Sequence, residues 1–556
     1  MWVKVLLLFF VLSFLIRTDN SFDQDLGRHI KLGEIIVNTQ SVPKTNLFSY
    51  TNADFPFINT HWLFGVIAYI FDQSIGLQAL LVLKVLMILL SVWLTLSLLE
   101  KKYHLILLPV GFVFLHVLRE RLELRPEVFS FLFTSLTLFI LNQFLEKRTR
   151  LVYFLPLIQL VWINTHIYFF VGFLIQAIFS LHLIFARQWQ KVKILLVLVT
   201  SSLVLSLLNP NGLNGLFYPL NVTKNYGYTI VENQNLFFLE QIKFKDPNFL
   251  FVKISAVLVI LSIIISAIKK SFSLKDNLLA FAGLALCFMH VRSFPYLIFL
   301  SLVPTAKNLY FLSSIFAIRI VPLLFLILLA VESFLYLNGS YYSNTDSDKQ
   351  VKLEFVQSGQ NAITFLLEKN LPQPIFNNFD IGSYIIYKGY PKVKTFVDGR
   401  PEAYPVNFFQ EEYIPIQYNY QKFKIAAGKS QFKTIIFSHT DQTPWGQNFL
   451  KEVTKDSDWK IAYLDDFIII LVKSNYPSLA KINLSKLDPG HYNFGNSISY
   501  LKTGIFLLNM GYSETGIKFV SKALERNPQS PVANSIMASV LGSLQLRQKS
   551  TNFYFW

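Results

Sequence analysis

Long apolar runs alternate with short polar segments over the first 340 residues of this chain of 556. A helix needs about 20 apolar residues to cross roughly 30 Å of hydrocarbon. The pattern therefore predicts an α-helical polytopic membrane protein with about 11 transmembrane helices. The runs lie near residues 3–17, 77–99, 105–118, 127–145, 151–164, 166–186, 191–208, 249–268, 276–290, 294–312 and 316–337. A shorter run at 62–72 predicts a helix that lies along the membrane surface.

The pattern changes after residue 340. Residues 341–350 form a polar linker, and residues 357–369 show a helical period. Short β-branched and aromatic runs, bounded by Pro, Gly and Asp, then predict strands near 374–377, 394–397, 433–437 and 467–473. We expect a transmembrane domain over 1–340 with a long first outer loop over 17–61, a small soluble α/β domain over 351–475 and a helical segment over 490–545.

The helical segment at the end of the chain resembles one tetratricopeptide repeat. The matching residues are Met510-Gly511-Tyr512, Gly516, Phe519, Ala523-Leu524 and Pro528. A single repeat cannot bury its apolar faces without neighbours. We therefore expect this tail to pack on the α/β domain or to bind a partner protein.

Composition supports the membrane interpretation. Hydrophobic residues make up 53% of the chain, and charged residues make up 15%, against roughly 25% in soluble globular domains. The net charge is +16, but the sequence contains no basic module with interleaved aromatic residues that would indicate nucleic acid binding. The single cysteine, Cys287, excludes an internal disulfide and a site of several thiolates.

The distribution of basic residues predicts the orientation in the membrane. Lys and Arg concentrate in the very short loops on one side, whereas acids and bases are mixed in the long loops 17–61 and 209–248. By the positive-inside rule, the short basic loops face the cytoplasm. This predicts a multi-pass protein of the plasma (inner) membrane whose C-terminal α/β domain lies on the outer, periplasmic side.

Two carboxylates stand directly after the first apolar run. Asp23 and Asp25 are separated by one residue, and His29 follows four residues after Asp25. Carboxylates beside lipid are costly unless they have a partner, and a proton, a metal ion or a metal-held phosphate are the candidates. The alternative is structural, since an aspartate can cap a helix and Asp25 can pair with His29 on one helix face.

Further polar motifs fall at the ends of the predicted spans that face outward. Their shared position predicts a polar cavity that opens to the outside of the membrane. They are Arg125-Pro126-Glu127, Asn164-Thr165-His166, Asn209-Pro210-Asn211-Gly212, Glu232-Asn233-Gln234-Asn235 and His290-Val291-Arg292.

Together these motifs resemble the polytopic glycosyltransferases of the GT-C type, which include protein mannosyltransferases and lipid A aminoarabinose transferases. The resemblance rests on Asp23-Gln24-Asp25-Leu26 with His29 and Gly33, Phe48-Ser49-Tyr50, His61-Trp62-Leu63, Arg125-Pro126-Glu127, Trp162-Ile163-Asn164-Thr165-His166 and Asn209-Pro210-Asn211-Gly212. The α/β region is similar to a domain that accompanies this group, through residues 376–384 and 396–402. One departure is that later outer loops carry only the isolated acids Glu232 and Glu240, without an acidic pair.

The resemblance implies transfer of a sugar from a polyprenyl-phosphate donor to an envelope lipid, glycan or protein. In that reaction Asp23 or Asp25 suits the base, and Arg125 or Arg292 suits the leaving phosphate. A divalent cation, Mg²⁺ or Mn²⁺, bound by Asp23 and Asp25 is the implied cofactor. Candidate substrate contacts are His29, Arg125, His166, Arg292 and Arg400. Each of the last five also has a structural interpretation, as a helix-packing, interfacial or turn residue.

Two other functions fit the same residues. A lipid-linked substrate transporter, or flippase, would use Asp23, Asp25 and Arg292 to bind a moving ion or anionic lipid, but the inverted repeats typical of transporters are not evident. A non-catalytic envelope assembly protein would use the C-terminal tail to recruit a partner. Loss of activity on replacing the aspartates would argue against the assembly role.

Overall fold

The computed structural model describes residues 2–147, 150–222, 226–242, 246–313, 320–477 and 479–540. The chain divides into two compact units, a helical unit and a mixed unit. The helical unit comprises residues 1–17, 32–42 and 58–337, and the mixed unit comprises residues 18–31, 43–57 and 338–556.

Long apolar helices build the helical unit. Within the described part of the chain, seven are long and apolar enough to cross a membrane: Leu77–Ser97, Lys101–Arg121, Glu127–Glu146, Ile167–Phe185, Trp189–Ser206, Asn248–Ile268 and Ile320–Leu337. Trp2–Leu15 and Arg150–Thr165 are shorter and also apolar. The helices Leu274–Met289 and Phe294–Asn308 have 16 and 15 residues. Every apolar run predicted from the sequence thus contains a helix, and the protein is a multi-pass integral membrane protein.

The helices Leu274–Met289 and Phe294–Asn308 approach each other closely. A Cβ on Gly283 would collide with the hydroxyl of Ser301 on the facing helix. The Ser301 hydroxyl instead donates a hydrogen bond to the carbonyl of Ala280 at 3.0 Å. Small residues at such crossings let helices pack through dispersion contacts in lipid, where the hydrophobic effect does not drive association.

The segment 17–61, which the sequence predicts as a long outer loop, contains regular secondary structure. It contains a π-helical turn, Phe22–Leu26, and a helix, Gly27–Thr39. Residues 18–31 and 43–57 count with the mixed unit, and only residues 32–42 count with the helical unit. The cause is aromatic packing that the hydropathy pattern does not show. The Phe22 ring lies 5.6 Å from that of Tyr384 and 5.0 Å from that of Tyr387.

A four-stranded sheet forms the core of the mixed unit, in the order β1-β2-β4-β3. Strand β1 (Ile375–Asn377) pairs in parallel with β2 (Thr434–Ser438), whereas β4 (Ile468–Lys473) runs antiparallel to β2 and to β3 (Trp459–Leu464). The helices that the structure describes in this unit include Ser340–Asn344, Gln360–Glu368, Gly382–Gly389, Ile414–Tyr418, Tyr420–Ser430, Pro444–Val453, Ser497–Asn509 and Ser513–Arg526.

One strand prediction was wrong, and one observed strand was not predicted. Residues 394–397 are not a strand, because the Asn377 side chain accepts the amide of Phe396 at 2.8 Å in place of a backbone ladder. The strand β3 was not predicted. It is an edge strand with irregular burial and a register shift between Ile461 and Tyr463, so its side chains do not alternate cleanly.

The C-terminal tail packs on the α/β part of the same unit. Its helices Ser497–Asn509 and Ser513–Arg526 meet at two glycines, Gly504 and Gly516, where an added Cβ would lie 3.1 and 3.0 Å from the facing carbonyl. The Ser499 hydroxyl donates a hydrogen bond to Asp466. The first expectation for the tail, that it packs on the α/β domain, is therefore what the structure shows.

Candidate functional site

Charged side chains from three short segments between helices meet in the helical unit. Arg121 ends a 3₁₀ turn, and Arg125 immediately precedes the helix that begins at Glu127. Glu232 lies in the 3₁₀ turn Val231–Asn233, and Arg292 lies in the turn Val291–Ser293. Each residue thus stands where a helix has just ended or is about to begin.

Glu232 is the centre of this group. Arg125 Nη1 lies 2.7 and 2.6 Å from the two carboxylate oxygens of Glu232. Arg121 Nη1 contacts Oε1 at 2.8 Å, and Arg292 donates from Nε and Nη2 to Oε2 at 3.1 and 3.0 Å. One carboxylate therefore receives hydrogen bonds from three guanidinium groups. We call Arg121, Arg125, Arg292, Glu127 and Glu232 the arginine cluster.

The second carboxylate of the arginine cluster has a different environment. Arg121 binds Glu127 in a bidentate fashion, with Nε to Oε1 at 2.9 Å and Nη2 to Oε2 at 2.7 Å. The side chains of Arg121 and Glu127 are 6% and 5% exposed, whereas those of Arg292 and Glu232 are 30% and 25% exposed. One side of the cluster is closed, and the other is open.

The charges of the arginine cluster do not cancel. Three arginines and two glutamates leave one net positive charge among these five residues. Burial works against ionisation of Glu232, but the guanidinium groups of Arg121, Arg125 and Arg292 outweigh it and hold the pKa of that carboxyl well below its usual range. Glu232 is consequently charged at neutral pH, and the net positive charge of the cluster favours a further anion.

Aromatic and hydroxyl side chains continue from the arginine cluster toward His166. The Tyr168 ring stacks against the rings of His166 and Tyr296, with centroids 5.3 and 5.1 Å apart. Its hydroxyl lies 2.8 Å from the hydroxyl of Ser293, the residue that follows Arg292. His166 Nδ1 lies 2.6 Å from the hydroxyl of Ser130, on the helix that begins at Glu127. His166 is thus linked to the cluster through hydrogen-bonded neighbours.

Three of the residues proposed from the sequence therefore lie in one region of the helical unit: Arg125, Arg292 and His166. Glu232 was placed among the outward-facing polar motifs and noted as an isolated acid but was not proposed as a site residue, and Arg121 was not proposed. The signal for Arg121 was present, since a Glu-rich and Arg-rich stretch at 119–125 follows an apolar run directly. Charges at the end of a transmembrane helix need partners, and that requirement could have pointed to Arg121.

The first-loop residues Asp23, Asp25 and His29 belong to the mixed unit. Asp25 Oδ1 accepts a hydrogen bond from Arg28 Nη2 at 2.7 Å, and the Asp25 side chain is 20% exposed. His29 is buried in the helix Gly27–Thr39. Asp23 lies in the π-helical turn, but its side chain falls outside the described residues. The catalytic roles of Asp23 and Asp25, and the binding role of His29, stay predictions.

Arg400 has a structural environment. Its Nε and Nη2 donate to the two oxygens of Asp398 at 2.6 and 2.7 Å, and Nη2 also reaches Asn46 Oδ1 at 2.8 Å. The guanidinium carbon lies 4.9 Å from the ring centroid of Phe48. With 1% of its side chain exposed, Arg400 offers no surface to a substrate. These contacts hold residues 43–57 on the α/β domain, and the substrate contact of Arg400 stays a prediction that its burial disfavours.

The described side chains around the arginine cluster do not suit a metal ion. Nowhere in the described part of the chain do three or more His, Cys, Asp or Glu side chains lie close enough to hold one. The carboxylates of Glu127 and Glu232 are surrounded by guanidinium groups, and a net positive site repels a divalent cation. The metal predicted at Asp23 and Asp25 is a separate matter and stays a prediction.

Comparison with solved structures identifies the fold. The archaeal oligosaccharyltransferase AglB from Archaeoglobus fulgidus, in complex with an inhibitory peptide and a dolichol-phosphate, superposes with a TM-score of 0.54 and 13% identity, over 94% of this chain and 86% of that one. The oligosaccharyltransferase of the same organism in complex with zinc and sulfate gives a TM-score of 0.52 and 13% identity, over 94% and 85%. The GT-C fold predicted from the sequence is confirmed. No protein-family model and no curated protein matches the sequence.

Proposed function

We propose that the protein is a membrane glycosyltransferase that moves a sugar from a polyprenyl-phosphate donor to an envelope acceptor at the outer face of the membrane. The observation that carries the proposal is the convergence of Arg121, Arg125 and Arg292, with a net positive charge and an open side, in the helical unit of a GT-C fold. The structure of AglB contains dolichol-phosphate, a polyprenyl phosphate, which supports a lipid-linked donor here.

Arginine is the residue suited to the donor phosphate. Its planar guanidinium donates two parallel hydrogen bonds to phosphate oxygens and stays charged at every relevant pH. Arg292 is the most exposed of the three arginines and would contact the phosphate first. Arg121 and Arg125 would complete the site from the closed side, where Glu127 fixes the orientation of Arg121.

In the proposed reaction, an acceptor hydroxyl attacks the anomeric carbon of the donor sugar. The bond between that carbon and the phosphate oxygen breaks, and the electron pair leaves with the phosphate, whose new charge the arginines stabilise. The hydroxyl proton passes to a carboxylate, for which Asp25 and Asp23 remain the candidates. The stereochemical course, inverting or retaining, is left open by these residues.

The proposal is tested by turnover. Purified full-length protein is incubated with a panel of radiolabelled polyprenyl-phosphate sugars and envelope extracts, with and without EDTA. We expect label to pass from one donor to an acceptor, and we expect Asp25→Asn and Asp23→Asn to lower that rate if a carboxylate is the base. Sensitivity to EDTA would support the predicted Mg²⁺ or Mn²⁺. Absence of transfer from every donor would overturn the proposal in favour of transport or assembly.

A further inference from the structure

The arginine cluster already holds an anion, and that anion is part of the protein. Five nitrogen-to-oxygen contacts of 2.6 to 3.1 Å from three guanidinium groups end on the carboxylate of Glu232. Several arginines converging on one group of oxygens is how proteins bind phosphate. The Glu232 carboxylate thus lies where a phosphate group would make the same hydrogen bonds.

We propose that Glu232 is an internal, exchangeable ligand of the arginine cluster, which the phosphate group of the lipid carrier displaces and which returns when that phosphate leaves. The identity of the phosphate as that of a lipid carrier rests on the function proposed above. The exchange itself requires only that a phosphate and Glu232 compete for Arg125 and Arg292.

The two glutamates of the cluster differ in a way that supports this assignment. Glu127 is 5% exposed and bound by Arg121 through two hydrogen bonds, so it is enclosed as a fixed counter-ion. Glu232 is 25% exposed and lies next to the 30% exposed Arg292. A group from solvent or from the membrane surface can reach Glu232 without opening the packed core.

The backbone around Glu232 is held independently of its side chain. His290 Nδ1 lies 2.7 Å from the carbonyl of Asn233, and the amide of Val291 donates to the carbonyl of Gln234 at 3.0 Å. These contacts attach the turn that carries Glu232 to the turn that carries Arg292. The carboxylate can therefore leave the arginines by side-chain rotation while the turn stays in place, and it remains close enough to return.

The charges explain what the exchange would do. With Glu232 bound, the cluster carries one net positive charge and attracts the single negative charge of an approaching phosphodiester donor. With Glu232 displaced it carries two, which matches a product monoester phosphate of about −1.5 to −2 at pH 7. Return of Glu232 removes one positive charge from the site and so favours release of the spent carrier.

The test is phosphate binding by purified full-length protein. Inorganic phosphate and a short-chain polyprenyl phosphate are titrated separately into wild type and Glu232→Gln, a variant of nearly the same shape without the competing charge. We expect Glu232→Gln to bind both probes about tenfold more tightly or better, which corresponds to about 1.4 kcal/mol. Tighter binding of the polyprenyl phosphate than of inorganic phosphate would identify the lipid carrier as the ligand.

A matched control lies in the same loop. Glu240 pairs with Lys253 at 2.6 Å, is 38% exposed and contacts none of the three arginines. Glu240→Gln removes the same charge nearby, and we expect phosphate affinity to stay at the wild-type value. If Glu232→Gln is not folded by size exclusion and thermal unfolding, Glu232→Asp replaces it, with a smaller gain expected because its carboxylate reaches less far.

Two outcomes separate this inference from the proposed function. Tighter phosphate binding by Glu232→Gln without sugar transfer from any donor would support the exchange and overturn the glycosyltransferase assignment. Sugar transfer by the wild type, with unchanged or weaker phosphate binding by Glu232→Gln, would support the enzyme and overturn the exchange. In the second case Glu232 only positions the arginines.

Discussion

Arg400 and Arg292 were both proposed as substrate contacts, and they have opposite environments in the folded chain. Arg400 is paired with Asp398, with exposed fractions of 1% and 0%, and is covered by the rings of Phe48 and Phe57. Arg292 is 30% exposed and shares its carboxylate partner, Glu232, with two other arginines.

The two sites differ in their ratio of arginines to carboxylates and in the exposure of these side chains to solvent. Arg400 and Asp398 form a neutral pair with no access to solvent, so the pair can only stabilise the fold. The arginine cluster has more arginines than carboxylates and an open side, so it can attract and receive another anion. A functional role therefore depends on the ratio and exposure of the charges, neither of which a single sequence position reveals.

The largest expected effect comes from breaking the buried ion pair of Arg400 and Asp398. Arg400→Ala removes two guanidinium hydrogen bonds from the buried Asp398 carboxylate, which keeps the hydrogen bond that the Tyr404 hydroxyl donates at 2.8 Å. Removing one partner of a buried ion pair costs about 3–5 kcal/mol of unfolding free energy. We expect this loss in denaturant unfolding of the mixed unit, followed by tryptophan fluorescence in detergent, together with faster proteolysis.

A surface pair serves as the control for Arg400. Lys518 and Glu514 are 56% and 86% exposed and pair at 2.8 Å. Because solvent screens this pair, Lys518→Ala should leave the unfolding midpoint unchanged. An Arg400→Ala protein that unfolds at the wild-type denaturant concentration would show that the buried pair contributes nothing and would remove the contrast with Arg292.

The second effect is expected on activity. Arg292→Ala should lower sugar transfer about 10²- to 10³-fold, the usual result of removing one donor that stabilises developing charge. The unfolding midpoint should change little, since the side chain is partly exposed. Arg292→Lys keeps the charge without the planar guanidinium, so its rate of sugar transfer should lie between the rates of Arg292→Ala and wild type. Lys253→Ala, which removes a cation near the same loop, is the control and should transfer sugar at the wild-type rate.

Much of the architecture could be predicted from the sequence, because lipid imposes a strong rule on it. Every apolar run became a helix, and the helix predicted near 357–369 is observed at Gln360–Glu368. The first outer loop was harder. Residues 18–31 and 43–57 pack on an α/β domain that follows 300 residues later, and such pairing depends on aromatic contacts that leave no periodic signal.

The arginine cluster could be predicted only in part. Alternating spans placed the motifs of Arg125, His166 and Arg292 at one end of the helices. There Arg125 and Arg292 share the carboxylate of Glu232, and the His166 ring stacks on Tyr168, whose hydroxyl contacts Ser293. That Glu232 would accept from three arginines could not be foreseen, because it comes from a loop of nearly 40 residues without a hydropathy pattern. The burial of Arg400 could not be predicted, because a polar turn motif looks the same in sequence whether it is exposed or enclosed.

The smallest expected effect is a response to pH that separates the two regions. In the mixed unit, burial lowers the pKa of His439 to about 4, while the charge of Asp466 raises it and that of Lys502 lowers it. His439 Nε2 lies 2.9 Å from the carbonyl of Asp465, which fits a neutral ring with its proton on Nε2. The folded state therefore binds this proton more weakly than the unfolded state, whose histidine pKa is about 6.5.

The sign of the pH dependence follows directly. The contribution of neutral His439 to stability is fully present above pH 6.5 and is lost as the pH falls from 6.5 toward 4, by about 2 kcal/mol at pH 5. Burial raises the pKa of Asp465 to about 6, which acts in the opposite direction, so wild type is compared with His439→Gln at each pH. Because Gln keeps a donor for the Asp465 carbonyl and cannot be protonated, the variant should gain on wild type by that amount between pH 7.5 and 5.

Phosphate binding by the arginine cluster should retain its Glu232→Gln effect over the same range, since the pKa of Glu232 lies well below it. If the effect of Glu232→Gln on phosphate affinity disappears at pH 5, Glu232 is protonated there. Phosphate binding by the arginine cluster would then depend on pH as strongly as the stability contribution of His439 does.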